Sequence, residues 1–203
     1  MKIICIGRNY AAHAKELNNP VESEPVIFLK PETALIVGKL PFFYPSFSED
    51  VHYEAELVVR ISKLGKNISE KFAPRYYNEV SMGIDFTARD LQQKLKSKGL
   101  PWELAKAFDG SAPVGNFIPL NELPPIQELH FNLKVNGEIR QNGNTAMMLF
   151  NVNKIIAYVS TFITLKKGDL LFTGTPEGVG PVKPGDELEV SLEDKKLLQV
   201  SVR

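Results

Sequence analysis

Apolar residues in this chain alternate with polar ones or run in short blocks, and Gly, Pro and Asn interrupt them every few residues. Such a pattern predicts strands rather than long helices. Strands are expected at Ile3–Ile6, Val26–Lys30, Ala55–Ile61, Val80–Phe86, His130–Val135, Leu170–Thr173 and Glu187–Leu192, with a last one near Leu197–Val202. Asn136-Gly137, set between Leu133-Lys134-Val135 and Glu138-Ile139-Arg140, predicts a two-residue hairpin because both positions tolerate positive φ. Helices are fewer: a short polar one over Tyr10–Asn18, one over Ala88–Lys98 directly after Asp85, and one over Val152–Phe162 with apolar residues at helical spacing. Many strands and few short helices predict an α+β fold, mainly β, built as a folded-over sheet or roll.

Composition narrows the class. A length of 203 residues, with no repeat or composition break, suits a single domain over residues 1–203 with a proper buried core. Hydrophobic residues at 43% and charged residues at 24% are those of a globular protein. Lys plus Arg and Asp plus Glu both number 24, so a formal net charge of zero gives no electrostatic footprint for a nucleic acid or a membrane surface. The single cysteine, Cys5, excludes an internal disulfide, and its apolar setting Lys2-Ile3-Ile4-Cys5-Ile6 predicts a buried thiol rather than a nucleophile. The opening apolar run is too short for a signal peptide, and no stretch approaches a membrane span. A cytoplasmic location is expected, with an organellar matrix as the alternative.

Candidate chemistry begins with Glu54-Ala55-Glu56 at the head of the strand Leu57-Val58-Val59-Arg60-Ile61. Side chains two apart on a strand share a face, so both carboxylates can meet one cation. Spacing alone decides nothing, because Glu187-Leu188-Glu189 repeats it in a strand that reads as solvated. Asp85 adds a third carboxylate, delivered by the run Val80-Ser81-Met82-Gly83-Ile84 to a strand end before a helix. Three carboxylates without a Cys or His cluster select a hard cation: Mg²⁺, with Mn²⁺ as substitute and Ca²⁺ as the lesser alternative. Three protein ligands leave about half of an octahedral shell for water or a chelating substrate.

Further motifs lie around these residues. Gly7-Arg8-Asn9-Tyr10, His13, Glu16, Pro25-Val26-Ile27-Phe28-Leu29-Lys30-Pro31, His52-Tyr53-Glu54-Ala55-Glu56-Leu57, Asp85-Phe86-Thr87-Ala88-Arg89-Asp90-Leu91-Gln92, Trp102–Asp109 and Gly174-Thr175-Pro176-Glu177-Gly178-Val179-Gly180 follow one another along the chain. Their order resembles that of the fumarylacetoacetate hydrolase superfamily over essentially the whole length. The short, single-domain acylpyruvase and oxaloacetate decarboxylase/tautomerase branch is the most similar. The resemblance implies a mixed β-sandwich roll of the fumarylacetoacetate hydrolase C-terminal-domain type and a homodimer. It implies Glu54, Glu56 and Asp85 as metal ligands, Lys106 as a cationic partner of substrate and metal site, and Gln92 as a polar lining group. His13 and Glu16 match the acid–base dyad of hydrolytic members, and Thr175 matches a carboxylate-binding position. Where the family often reads Lys-Ser-Phe-Asp-Gly, this chain has Lys106-Ala107-Phe108-Asp109-Gly110, which keeps the lysine.

The residues themselves suit that chemistry. A 2-oxo acid chelates a divalent cation through its carboxylate and oxo oxygen, and both acylpyruvate cleavage and oxaloacetate decarboxylation or tautomerisation develop negative charge on that oxygen. His13 and Glu16, at i and i+3 of a short helix, can hydrogen-bond and present a base to water. Arg8 and Arg89 offer forks for a substrate carboxylate, although Arg89 equally suits a structural salt bridge. Lys30 is either a substrate contact or a solvated strand end, His52 packs behind the site or is a plain strand residue, and His130 reads as structural. The expected protein is a Mg²⁺-dependent hydrolase or lyase of small 2-oxo acids. The alternatives are an isomerase or decarboxylase of 2-hydroxyhepta-2,4-diene-1,7-dioate and, from another class, a catalytically silent metal-binding protein.

Overall fold

The computed structural model describes residues 1–16, 22–38 and 40–203. Its centre is an eight-stranded mixed sheet. The strands run in the order Val26–Lys30, Ile3–Gly7, Leu170–Phe172, Ala55–Ile61, Tyr77–Ile84, Ala112–Val114 and Leu35–Val37, and Ile118–Pro119 also pairs with Tyr77–Ile84. The neighbours Ile3–Gly7 and Leu170–Phe172 are parallel, as are Leu35–Val37 and Ala112–Val114, while the other pairs are antiparallel. A second, antiparallel sheet orders Glu138–Asn144, His130–Val135, Glu187–Leu192 and Lys195–Ser201. A small third sheet joins Gly180–Pro181, Val51–Tyr53 and Thr87–Ala88.

Strand periodicity explains how the large sheet is covered on both faces. Ala55, Leu57, Val59 and Ile61 share one face and pack with Phe131, Leu133, Leu188, Val190 and Val200 of the second sheet in one buried cluster. Val58 points the other way and joins Ile3, Cys5 and Phe172 in a separate cluster. Burying both faces accounts for a strand, Ala55–Ile61, in which every residue but Arg60 is buried. Gly83 is required beneath Phe172, since a Cβ there would lie 2.7 Å from the Phe172 ring and from Val58 Cγ2.

The expected elements are present with shifted ends. The strand expected over Val80–Phe86 runs from Tyr77 to Ile84, the helix after it covers Arg89–Ser97, and the third helix covers Val152–Phe162. The first helix covers Ala11–Glu16, and the remainder of its expected span, residues 17–18, lies outside the described residues. Asn136 and Gly137 turn the hairpin with φ of 52° and 84°. Among the described residues, no helix is long and apolar enough to cross a membrane.

Candidate metal centre and active site

The acidic residues converge through strand register. Ala55 pairs with Ile84 and Glu56 with Gly83, so Glu54 and Asp85 stand opposite each other one step further along. The Asp85 amide donates to the Glu54 carbonyl at 2.8 Å and extends the ladder to that step. Glu54 and Glu56 share the face away from the sandwich core, and one carboxylate oxygen from each of Glu54, Glu56 and Asp85 lies within 4.8 Å of the others. All three are buried. Glu187 and Glu189, with the same spacing, sit half-buried on the second sheet, where Glu189 pairs with the exposed Lys196. Burial therefore separates the two motifs.

Taking carboxylates out of water costs several kcal/mol each unless opposite charge is near. Lys106 Nζ donates to Glu54 Oε2 at 2.8 Å, Asp85 Oδ2 at 2.7 Å and Thr87 Oγ1 at 2.6 Å, which engages all three of its protons. Arg89 donates from Nη2 to Glu54 Oε1 at 2.5 Å and from Nη1 to Gln92 Oε1 at 2.6 Å. Lys30, fully enclosed, lies 2.7 Å from Asp85 Oδ1 and donates to Ser111 Oγ and the Lys106 carbonyl. Lys30 is thus neither a substrate contact nor a solvated strand end. It is a buried counter-charge.

These cations are distributed unevenly. Burial alone would raise the Glu54 carboxyl, but Lys106 and Arg89 outweigh it and hold Glu54 well below the usual carboxylate range. Burial would lower the Lys106 amine, and Asp85 and Glu54 outweigh it to raise that group. Glu56 differs: burial, then the negative charges of Asp85 and Glu54, push its carboxyl well above the ordinary range. Among the described residues no ion pair reaches Glu56, and Asp85 Oδ1, although near Lys30, has no hydrogen-bond partner. An all-oxygen cluster with one carboxylate that no ion pair compensates fits a hard divalent cation.

Glycine and amide geometry complete the floor. The Gly174 amide donates to Glu56 Oε2 at 2.7 Å. Gly174 has φ of 97°, and a Cβ there would come within 2.7 Å of Asn9 Cβ, so only glycine fits. The buried Asn9 donates to the carbonyls of Phe150 and Thr173 and accepts from the Phe150 amide, which ties the end of the Ile3–Gly7 strand to this loop. Gln141 was not singled out by the sequence reading. Its Oε1 accepts from the Ala55 amide at 2.9 Å, and its Nε2 donates to Thr175 Oγ1 at 2.8 Å and Pro176 O at 3.0 Å. One buried amide thereby joins the carboxylate strand to the glycine loop, and a lone Gln in a strand carries no sequence signal for that.

Above the floor, Arg8, His13, Glu54, Arg89, Gln92 and Lys106 line one recess, together with Phe28, Lys96 and Trp102. His13 Nδ1 lies 3.2 Å from Glu16 Oε2, and Glu16 Oε1 accepts the Gly178 amide at 3.0 Å. Thr175 is buried beside Gln141 and is not part of the recess lining. Arg89 pairs with Glu54 as the salt-bridge reading expected, yet its Nε is buried without a partner. His52 sits half-buried against Asp50 at 2.9 Å, and burial and then the positive charge of Arg89 lower its basicity. His130 is exposed, and Cys5 is buried with its thiol pushed well up by burial.

A mixed β roll holding a buried carboxylate triad beneath a cation-lined recess defines a divalent-metal enzyme with oxygen ligands. Its relatives agree. A mitochondrial oxaloacetate tautomerase of Mus musculus is 46% identical over 201 residues, covering 99% of this chain and 91% of its own. The crystal structure of fumarylpyruvate hydrolase from Pseudomonas aeruginosa in complex with Mn²⁺ and pyruvate matches with a TM-score of 0.94 and 39% identity, over 100% of this chain and 89% of that one. The 2-hydroxyhepta-2,4-diene-1,7-dioate isomerase of Mycobacterium marinum matches with a TM-score of 0.87 and 34% identity, over 99% and 73%. The family described as fumarylacetoacetate (FAA) hydrolase C-terminal matches residues 2–203, and the chain belongs to it.

Proposed function

We propose that this protein is a Mg²⁺-dependent enzyme of small 2-oxo acids, tautomerising or decarboxylating oxaloacetate and cleaving acylpyruvates by C–C hydrolysis. The observation that carries this reading is the buried Glu54, Glu56 and Asp85 triad under a recess that also holds His13, Arg89 and Lys106. The relatives named above act on oxaloacetate, fumarylpyruvate and a heptadiene dioate, 2-oxo acids or their enol forms.

Removing a proton from C3, expelling CO₂ or cleaving the C3–C4 bond each leaves an enolate whose charge rests on the C2 oxygen. A divalent cation held by Glu54, Glu56 and Asp85 supplies Lewis acidity toward that oxygen. Lys106 keeps Glu54 and Asp85 ionised for the cation and adds a fixed positive charge beside them. Arg89, through its unpartnered Nε, and Gln92 hold the substrate carboxylate. His13, oriented by Glu16, accepts the proton from C3 or from the attacking water, and Glu16 is itself held by the Gly178 amide. Thr175 acts from the loop end through Gln141. The chain works as one catalytic domain and assembles as a homodimer, a reading supported by the exposed Phe43, Phe47 and Leu104.

Turnover of oxaloacetate, acetylpyruvate and fumarylpyruvate, each with Mg²⁺, with Mn²⁺ and with EDTA, tests the proposal. Metal-dependent loss of at least one substrate is expected. Turnover that survives EDTA and full dialysis refutes the metal role. Activity on 2-hydroxyhepta-2,4-diene-1,7-dioate alone favours the isomerase reading instead.

A further inference from the structure

The zero net charge of the chain hides an uneven distribution. Residues 62–76 and 160–169 carry six cations, Lys63, Lys66, Lys71, Arg75, Lys166 and Lys167, against Glu70 and Asp169. The rest of a chain with 24 cationic and 24 acidic residues is therefore net acidic. Asp169 adds little outward charge, because it is buried and paired with Lys2. All six cations are exposed, and none of them forms an ion pair among the described residues.

Backbone bonds bring the two segments together. Gly65 and Leu165 exchange both of their amide bonds, at 3.0 and 2.9 Å, and the Asn67 amide donates to the Ser160 carbonyl at 2.9 Å. Lys66 Nζ donates to the Thr161 carbonyl at 3.0 Å. The Ser62 amide donates to the Tyr76 carbonyl at 2.7 Å, which sets the helical turns of Glu70–Tyr76 alongside, and Lys63 Nζ lies 4.6 Å from the Tyr76 ring centroid. Lys71 and Arg75 each stand 4.8 Å from the Phe72 ring centroid. Among these cations three large apolar side chains stay in water: Leu64 is 68% exposed, Phe72 39% and Phe162 64%. Apolar tips ringed by lysine and arginine suit an anionic lipid surface, where the tips enter the headgroup boundary and the amines stay at the headgroups. A polyanion without an apolar layer would meet the charges and leave Leu64 in water. The patch is also remote from the carboxylates. Ile61 exchanges backbone bonds with Gly168 and Asp169, so the patch adjoins the far end of the strand that begins beside Glu54, roughly 20 Å away at about 3.3 Å per residue.

We propose that this end of the molecule is a docking surface for an anionic lipid membrane, with Leu64, Phe72 and Phe162 as its apolar tips and the surrounding cations as its headgroup contacts. The protein lies on the membrane without crossing it. Docking uses none of the residues of the recess, so this surface is independent of the reaction assigned to that site.

The test is co-sedimentation of the full chain with vesicles of phosphatidylcholine plus phosphatidylserine, and with vesicles of phosphatidylcholine alone, at low and high salt. The wild type is expected to bind the anionic vesicles at low salt, to leave them at high salt, and to ignore the neutral ones. A triple variant, Lys63→Gln with Lys166→Gln and Lys167→Gln, is expected to bind about fivefold more weakly per charge removed, on the order of 10²-fold in all. A double variant, Leu64→Ser with Phe162→Ser, keeps every charge and is expected to bind about tenfold more weakly. Wild-type Tm in both variants separates these losses from unfolding, and the salt and lipid comparisons on the wild type need no variant. A wild type that does not bind the anionic vesicles, or binds the neutral ones equally well, overturns the proposal. Undiminished binding by the triple variant overturns it as well. Undiminished binding by the double variant makes the patch a contact for polyanions in general and overturns the lipid assignment.

Discussion

The Gly174 amide donates to Glu56 Oε2 at 2.7 Å, joining two residues 118 positions apart. The same glycine has φ of 97° and no room for a Cβ against Asn9. The carboxylate least compensated by the protein's own cations is therefore held by a backbone group whose place depends on a missing side chain.

Gly174→Ala is expected to destabilise the fold by at least ~1–3 kcal/mol, the cost of a strained backbone, before the close contact with Asn9 is added. The variant also displaces the amide from Glu56, so Mn²⁺ affinity falls. Urea unfolding and metal titration measure the two effects, and a variant as stable as wild type excludes the geometry described.

Glu56 shapes the stability of the metal-free protein. Its folded carboxyl lies well above the unfolded value of about 4.3. The folded state thus holds this proton more tightly than the unfolded state, and stability from this group falls as pH rises from the unfolded value through the folded one. Glu56→Gln removes that loss. At pH 7–8 the metal-free variant should melt above metal-free wild type, and divalent cations should no longer raise its Tm. An undiminished metal-induced shift removes Glu56 from the site.

Lys30 is enclosed against Asp85 and Ser111. Lys30→Met leaves a buried carboxylate with one cation fewer, and breaking such a pair costs about 3–5 kcal/mol. Chemical denaturation in EDTA reads that cost directly. A neutral substitution contradicts the counter-charge role.

His13→Ala is expected to lower acylpyruvate hydrolysis by about 10²–10⁴, since only hydrolysis needs an activated water. Oxaloacetate decarboxylation should fall less. Equal loss of both activities, in a variant that still folds and binds Mn²⁺, refutes that division between the two reactions.

Much of this arrangement was legible along the chain. Alternation located the principal strands, and the Asn136-Gly137 turn followed from backbone tolerance alone. The i, i+3 spacing of His13 and Glu16 correctly anticipated their contact, because helix geometry fixes it locally. Lys30 and Gln141 could not be read in the same way. Both act through groups distant in sequence, Lys30 on residues from Asp85 to Ser111 and Gln141 on the Ala55 amide 86 positions away.

The carboxylates mark the division most sharply. By itself the sequence determined that Glu54 and Glu56 share a strand face and that Asp85 ends an apolar strand. Glu187 and Glu189 met the first condition equally well. Only the tertiary structure distinguished them, by pairing Ala55 with Ile84 so that Asp85 falls opposite Glu54, and by closing the second face of the sheet over the triad. Side-chain direction is a property of two neighbouring residues, whereas burial and cross-strand register belong to the whole fold. The energy of a carboxylate depends on both, so the metal centre was decided by the fold.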